Sequence, residues 1–219
     1  MKELFPGVFM INEKLLTENS VPEFRPFGED LIKSGKKEFR VWNPTRSKLG
    51  AAIIKGIKEM PITKGNKILY LGAAHGMTPT YVANIVGKQG IVYAVEFSER
   101  CFNDLLPVCK KYTNITPILA DSRKPELYHW VEKVDIVYID VAQPDETEIA
   151  IRNCKEFLKP KGYLMMAVKS RSIDVTKTPG KIYKEELEKL KKADFSIVDW
   201  KTLDPLEKAH AFIVARSKV

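Results

Sequence analysis

"FSIVDWKTL" (195–203), "DPLEKA" (204–209) and "HAFIVAR" (210–216) decide how this chain folds. The outer two runs are apolar and strand-like, and only the six residues of 204–209 part them. Six residues cannot make the crossover that a parallel pair needs, so an antiparallel hairpin is expected. Upstream, strand-like runs at 67–71, 91–95, 115–120, 135–139 and 162–168 alternate with helical patterns. That alternation is the signature of an open parallel sheet with helices on both faces. The clearest helix is "SERCFNDLLPVCKKY" (98–112), with Cys101, Leu105, Val108 and Cys109 on one face. Pro117 inside the third run is tolerable only at a sheet edge, the place that the strand order 3-2-1-4-5 gives it.

A nicotinamide-type Rossmann domain would continue with another parallel unit. A mostly parallel sheet closed by an antiparallel hairpin instead resembles the class I S-adenosylmethionine-dependent methyltransferases, a Rossmann-like α/β fold. Residues 1–45 differ: "GVFMIN", "KLLTE" and "EFRVW" are short strand-like runs, and "SGKK" is a hairpin turn signal. The expected organisation is a small β-rich module over 1–45 and a methyltransferase domain over 46–219. Between them, "NPTRSKLGAAIIKGIKEM" (43–60) has a helical pattern with Ile53, Ile54, Ile57 and Met60 on one face.

A chain of 219 residues suits one sizeable α/β domain with a small appendage. Its 44% apolar and 29% charged content is that of an ordinary globular protein. No apolar stretch reaches membrane-spanning length, and "MKELFPGVFMINEK" shows no secretory pattern, so a cytoplasmic protein without membrane partners is expected. Cys101, Cys109 and Cys154 all fall in helical patterns and are expected as buried thiols in a reducing compartment. The three histidines are scattered, and no metal site is expected. The net charge of +8 is uneven. Residues 155–192 carry eleven Lys/Arg against five Asp/Glu, and residues 33–48 carry six against one. Part of this is the wet face of a helix, "KIYKEELEKLKK". The segment "AVKSRSID" has no such explanation, which points to an anionic partner, nucleic acid first.

In "YLGAAHGMTP" (70–79) a strand stops at a glycine turn, Gly72-Ala73-Ala74-His75-Gly76. It lacks both the G-x-G-x-x-G spacing of dinucleotide binders and the Gly-Lys-Ser/Thr ending of a phosphate loop. Glu96 ends the second strand run, where an acid accepts hydrogen bonds from ribose hydroxyls. Asp121 follows the third, where a carboxylate can accept from an adenine amino group, and Asp140 follows the fourth. Carboxylates at these strand ends are poor company for pyrophosphate and suit a cationic sulfonium bearing an adenosine. The turn is therefore expected to hold S-adenosylmethionine.

The acceptor is narrowed by exclusion. Base-amine methyltransferases carry an Asn/Asp-Pro-Pro-aromatic run after the fourth strand to clamp a flipped base, and here the segment is "DVAQPDE". Cytosine-C5 enzymes need a nucleophilic cysteine near the site, and no cysteine is placed there. Near the carboxyl ends of the strands remain Asp140, Lys169 closing the fifth and His210 opening the last, with Lys48 at the start of the first helix. A lysine beside a ribose 2′-hydroxyl eases loss of its proton, and a carboxylate can orient that lysine. Taken singly, each of these residues also has a plain structural reading.

The stretches "FPGV", "RVWNPTRSKLGAAI", "ILYLGAA.G", "VYAVEFSER", "NITPILADSRKP", "DVAQPD", "KSRSIDVT" and "HAFIV" together resemble the fibrillarin family in its archaeal form, over essentially the whole chain. The resemblance implies ribose 2′-O-methylation of rRNA, and of tRNA, within a box C/D guide ribonucleoprotein. It puts the catalytic set on Lys48, Asp140, Lys169 and His210. It puts cofactor contacts on the turn from Gly72, Ala73, Ala74 and Gly76 through Met77 and Thr78. Further contacts fall on Glu96, Phe97, Asp121, Ser122, and Asp140, Val141, Ala142 and Gln143. This chain departs from the family's usual residues at His75, Met77, Glu146 and Ala209.

The chain contains no RNA-reading module: no RRM signature, no GXXG clamp and no basic region alternating with stacking aromatics. Its basic excess suits backbone attraction rather than sequence choice. The resemblance implies that a guide RNA pairs with the target, and that a Nop-domain scaffold protein and a kink-turn-binding ribosomal-type protein are partners. A catalytically idle cofactor-binding subunit and a stand-alone RNA methyltransferase are the alternatives.

Overall fold

The computed structural model describes residues 1–219. Its first sheet is antiparallel, made of β1 (Lys2–Phe5), β2 (Val8–Ile11), β3 (Lys14–Glu18), β4 (Leu31–Ser34) and β5 (Lys37–Val41) in the order β1-β2-β3-β5-β4. The sequence reading finds β2, β3 and β5 and passes over β1 and β4, which are short edge strands. The "SGKK" turn does join a hairpin, with Ser34 opposite Lys37.

The chain then enters α1 (Lys48–Ile54), capped by the Ser47 hydroxyl, which accepts from the Gly50 N–H at 3.3 Å. The helix is shorter than the apolar pattern over 43–60 suggests. It ends before Gly56, which turns with φ +76°, so Ile57 and Met60 are buried from the loop beyond and Ile54 is exposed. Burial of an apolar residue identifies the core, and here the period continues by coincidence past the helix.

The second sheet comprises β6 (Lys67–Leu71), β7 (Ile91–Glu96), β8 (Ile115–Leu119), β9 (Val134–Ile139), β10 (Leu158–Lys169), β11 (Phe195–Thr202) and β12 (His210–Ser217). Its order is β11-β12-β10-β9-β6-β7-β8. The five strands from β6 to β10 are parallel, and β12 runs antiparallel to both β10 and β11. The terminal hairpin is therefore present, and Pro117 lies in β8 at the sheet edge, as expected. Around the sheet lie α2 (Met77–Val86), α3 (Glu99–Cys109), α4 (Glu146–Phe157), the short α5 (Ser170–Ile173) and α6 (Pro179–Lys192). Two apolar clusters fill the sheet's faces, one built on Ile68, Tyr70, Tyr81 and Phe212, the other on Leu69, Ile139, Ile149 and Ile213. Of the cysteines, Cys154 is buried, whereas Cys101 and Cys109 are only half-buried because α3 carries one face toward solvent.

The first cluster runs without a break into the N-terminal sheet through Val8, Leu15 and Trp42, with Trp42 stacked on Tyr81 of α2 at 4.6 Å. Polar contacts fasten the same junction. Arg40 of β5 is fully buried, donates to Thr80 Oγ1 at 2.6 Å and to the Tyr112 hydroxyl, and pairs with Glu29 at 3.3 Å. Its guanidinium lies 3.8 Å over the Tyr81 ring. Removing Glu29 would leave that cation unpaired in the interior, at a cost of roughly 3–5 kcal/mol.

Candidate active site

The parallel strands all end on one side, and the site forms where β6, β7, β8 and β9 stop. Leu71 gives way to Gly72, whose N–H donates to the Val95 carbonyl at 2.9 Å, as does that of Ala73 at 3.0 Å. Gly72 has φ +84°, and a Cβ there would lie 2.6 Å from the Asp140 carbonyl oxygen. Only glycine lets the β6 turn and the β9 end approach this closely. Glu96, at the end of β7, braces the turn: Oε2 accepts from the Ala74 N–H at 2.7 Å and Oε1 from the Ser98 N–H at 2.8 Å.

The turn and the strand ends enclose a cleft of about 250 Å³. Gly72, Ala74, Glu96, Phe97, Asp121, Ser122, Asp140, Val141, Ala142 and Gln143 line it, with Phe97 largely exposed at the mouth. Three other lining residues, Val95, Ala120 and Arg123, are not among the site residues put forward from sequence. Arg123 clasps the cleft's loops, donating to Gln143 Oε1 at 2.6 Å and through two nitrogens to Asp145 at 2.9 and 3.1 Å. A basic residue one past a serine carries no signal of this in sequence.

Four residues assigned to the cofactor do not line the cleft. Ala73 turns into the core, 2% exposed. Gly76 faces Leu105 of α3, whose Cδ1 would lie 2.6 Å from a Cβ there. Met77 packs against the first apolar cluster. Thr78 is buried, its hydroxyl 3.0 Å from that of Ser47. Of the turn only Gly72 and Ala74 face the cleft, because from Gly76 on the chain enters α2, whose first turn packs against α3, Ser47 and the first apolar cluster. His75 is exposed and pairs with Asp104 at 3.2 Å, away from the cleft lining.

Asp140 joins the cleft to a cluster of ionisable groups. Lys48 Nζ contacts its Oδ1 at 2.7 Å, and the Tyr70 hydroxyl donates to its Oδ2 at 3.3 Å. Burial alone would push the Lys48 ammonium down, but Asp140 outweighs it and the net shift is upward, so Lys48 stays charged. Burial pushes the Tyr70 hydroxyl well up, which keeps it a donor. Lys169, the last residue of β10, lies directly across the sheet from His210, the first of β12. The His210 Nδ1–H donates to the Lys208 carbonyl at 2.8 Å, which leaves Nε2 with its lone pair, buried and without a partner. Burial, together with Lys48 and Lys169, holds this imidazole below its ordinary value and therefore neutral near pH 7. The four residues put forward from sequence thus lie within electrostatic reach of one another.

Two acids of this neighbourhood escape the sequence reading as site members. Glu207, in the β11–β12 connection, is raised by burial against the pull of Lys48. Glu146 is completely buried and accepts from the Lys169 N–H at 3.2 Å. Both are ordinary surface residue types, and only the tertiary fold turns them inward.

The sequence pattern that describes fibrillarins matches residues 1–219, the whole chain. The chain belongs to the fibrillarin family. A fibrillarin-like rRNA/tRNA 2′-O-methyltransferase of Sulfurisphaera tokodaii is 52% identical over 206 residues, which is 94% of this chain and 88% of that protein. Aeropyrum pernix fibrillarin, solved with natively bound S-adenosyl-L-methionine, is 45% identical with a TM-score of 0.86, over 92% of this chain and 88% of that one. The fibrillarin of a fibrillarin/Nop5p complex is 40% identical with a TM-score of 0.89, over 98% and 99% of the two chains. The mostly parallel seven-stranded sheet with its terminal antiparallel hairpin is thus the class I methyltransferase fold as fibrillarins carry it.

Proposed function

We propose that this chain methylates ribose 2′-hydroxyls of rRNA and tRNA with S-adenosylmethionine as donor, inside a guide-RNA ribonucleoprotein. The carrying observation is the Lys48–Asp140 pair at 2.7 Å, whose aspartate also lines the cleft. One residue thereby belongs to both the cofactor pocket and the proton-handling cluster.

The cleft fits the donor. Its wall holds the carboxylates of Glu96, Asp121 and Asp140, with no phosphate-cradling lysine in the turn, an environment for a cation rather than pyrophosphate. Glu96 spends one lone pair per oxygen on Ala74 and Ser98, which leaves acceptor capacity for ribose hydroxyls. Asp121 is the acceptor for an adenine amino group, and the exposed Phe97 ring offers a face for the base. When bound, S-adenosylmethionine supplies an electrophilic methyl group. The Lys169 ammonium lowers the pKa of the target hydroxyl and so eases loss of its proton, and Asp140 holds Lys48 in place. Most of the acceleration comes from positioning the two reactants.

The described Nop5p complex of a relative supports a Nop-domain scaffold as partner. Guide RNA and a kink-turn-binding protein complete the proposal, because the chain has no base-reading module of its own. The test offers donor and target RNA to the purified chain alone, then adds scaffold, kink-turn protein and guide. Selective methylation at one ribose only in the complete mixture is expected. Equal single-site methylation by the lone chain would refute the guided reading.

A further inference from the structure

Glu146 opens α4 with its side chain turned wholly inward, 0% exposed. Its Oε1 accepts from the Lys169 N–H at 3.2 Å, and its Oε2 is buried with no partner at all. That N–H needs an acceptor. The parallel ladder between β9 and β10 ends at Ile139 and Met166, so on this side Lys169 has no neighbouring strand. The charged and titratable groups facing Glu146 are Glu186 and Tyr183 of α6, Asp140 after β9, and Lys48 of α1. Lys48 is not free to neutralise it, being taken by Asp140 at 2.7 Å.

A carboxylate with one hydrogen bond, out of water and close to two other acids, is far costlier as an anion than as the acid, so such a group keeps its proton. We infer that Glu146 is held as the neutral acid and is a positioning residue for Lys169, fixing the strand end from which that ammonium is presented. Burial first, then Glu186 and Asp140, push its carboxyl up to about 9 against the pull of the Lys169 N–H and Lys48. Because Lys169 is paired across the sheet with His210, a shift of this strand end would disturb both. The positioning role rests on the methyl-transfer reading above, and the protonation state does not.

The decisive comparison is denaturation of the full chain and Glu146→Gln across pH. An acid whose folded pKa exceeds its unfolded value holds more protons folded than unfolded, from about pH 4.3 up to about 9 here. Stability contributed by the neutral acid is complete below that window and is lost as pH rises through it. Glutamine has nothing to titrate, so the Tm advantage of Glu146→Gln should widen steadily between about pH 5 and about pH 9. An advantage that stays constant above about pH 6 means an ionised carboxylate and overturns the inference. In the assembled complex, Glu146→Ala should lower kcat with cofactor affinity unchanged, and Glu146→Gln should restore kcat at neutral pH. Equal loss in both variants, or loss in neither, removes the positioning role. If the wild-type complex transfers nothing, the proposed function fails instead, and the pH comparison still decides the state of Glu146.

Discussion

Replacing Gly72 by alanine puts a methyl group where β6 and β9 meet. The backbone has φ +84° there, and the new Cβ would lie 2.6 Å from the Asp140 carbonyl oxygen, 2.8 Å from its carbon and 3.0 Å from the Val141 nitrogen. All three are backbone atoms that no rotamer change can move. Left-handed strain costs about 1–2 kcal/mol, and forcing apart packed atoms adds about 1–3 kcal/mol. The sum, about 2–5 kcal/mol, corresponds to a fall in Tm of roughly 4–20 °C for a chain of this size. Relief can come only by displacing Asp140 and Val141, both of which line the cleft, so cofactor affinity should collapse as well. Gly28→Ala is the matched control. Its φ is +77° with nothing within 4 Å of the Cβ position, so it carries strain without collision. That control should lose about 1–2 kcal/mol and bind cofactor normally. Thermal denaturation and calorimetry of both variants read the two effects separately. Gly72→Ala matching Gly28→Ala in stability and in affinity would refute the account of the turn.

Glu96→Ala removes the brace on Ala74 and Ser98 together with the proposed ribose acceptor, a loss of order 1–3 kcal/mol in cofactor binding; undiminished affinity by calorimetry would reject that assignment. Lys169→Ala should keep cofactor affinity and lose most turnover in the assembled complex, whereas Asp140→Ala should damage both. Normal turnover in Lys169→Ala would reduce the lysine to a surface residue. His210 yields a pH prediction: its folded pKa is depressed by burial, so its contribution is present above the unfolded value of about 6.5 and is lost as pH falls below it. Wild type should therefore lose stability relative to His210→Gln on acidification through that point, and parallel curves would mean that the ring titrates normally.

The parallel strands are legible because each is a buried apolar run bounded by turn residues, and the hairpin because 204–209 is too short for a crossover. The strands β1 and β4 are not, since each has four residues and an exposed edge to satisfy. The end of α1 is misjudged for a different reason: Ile57 and Met60 prolong the apolar period after Gly56 has broken the helix. At the site, Glu96, Asp121 and Asp140 can be found because strand ends in open sheets point into the ligand crevice. Which side of the glycine turn each residue faces is set by α3 and Ser47 packing on it, so Met77 and Thr78 read like their neighbours until the fold is known. Glu146 shows the limit most clearly. Its sequence setting is that of a solvated helix start, and its burial is imposed by β10 and α6.

Methyl transfer to a guided target in which the single paired nucleotide carries a 2′-deoxyribose tests the central claim most directly. Radiolabelled S-adenosylmethionine is supplied to the complete ribonucleoprotein with either the all-ribose target or this one, and incorporation is counted. The account predicts stoichiometric labelling of the all-ribose target and none of the deoxy-substituted one, because the oxygen served by Lys169 is missing. Equal labelling of both would place the methyl group elsewhere than on that 2′-oxygen and contradict it.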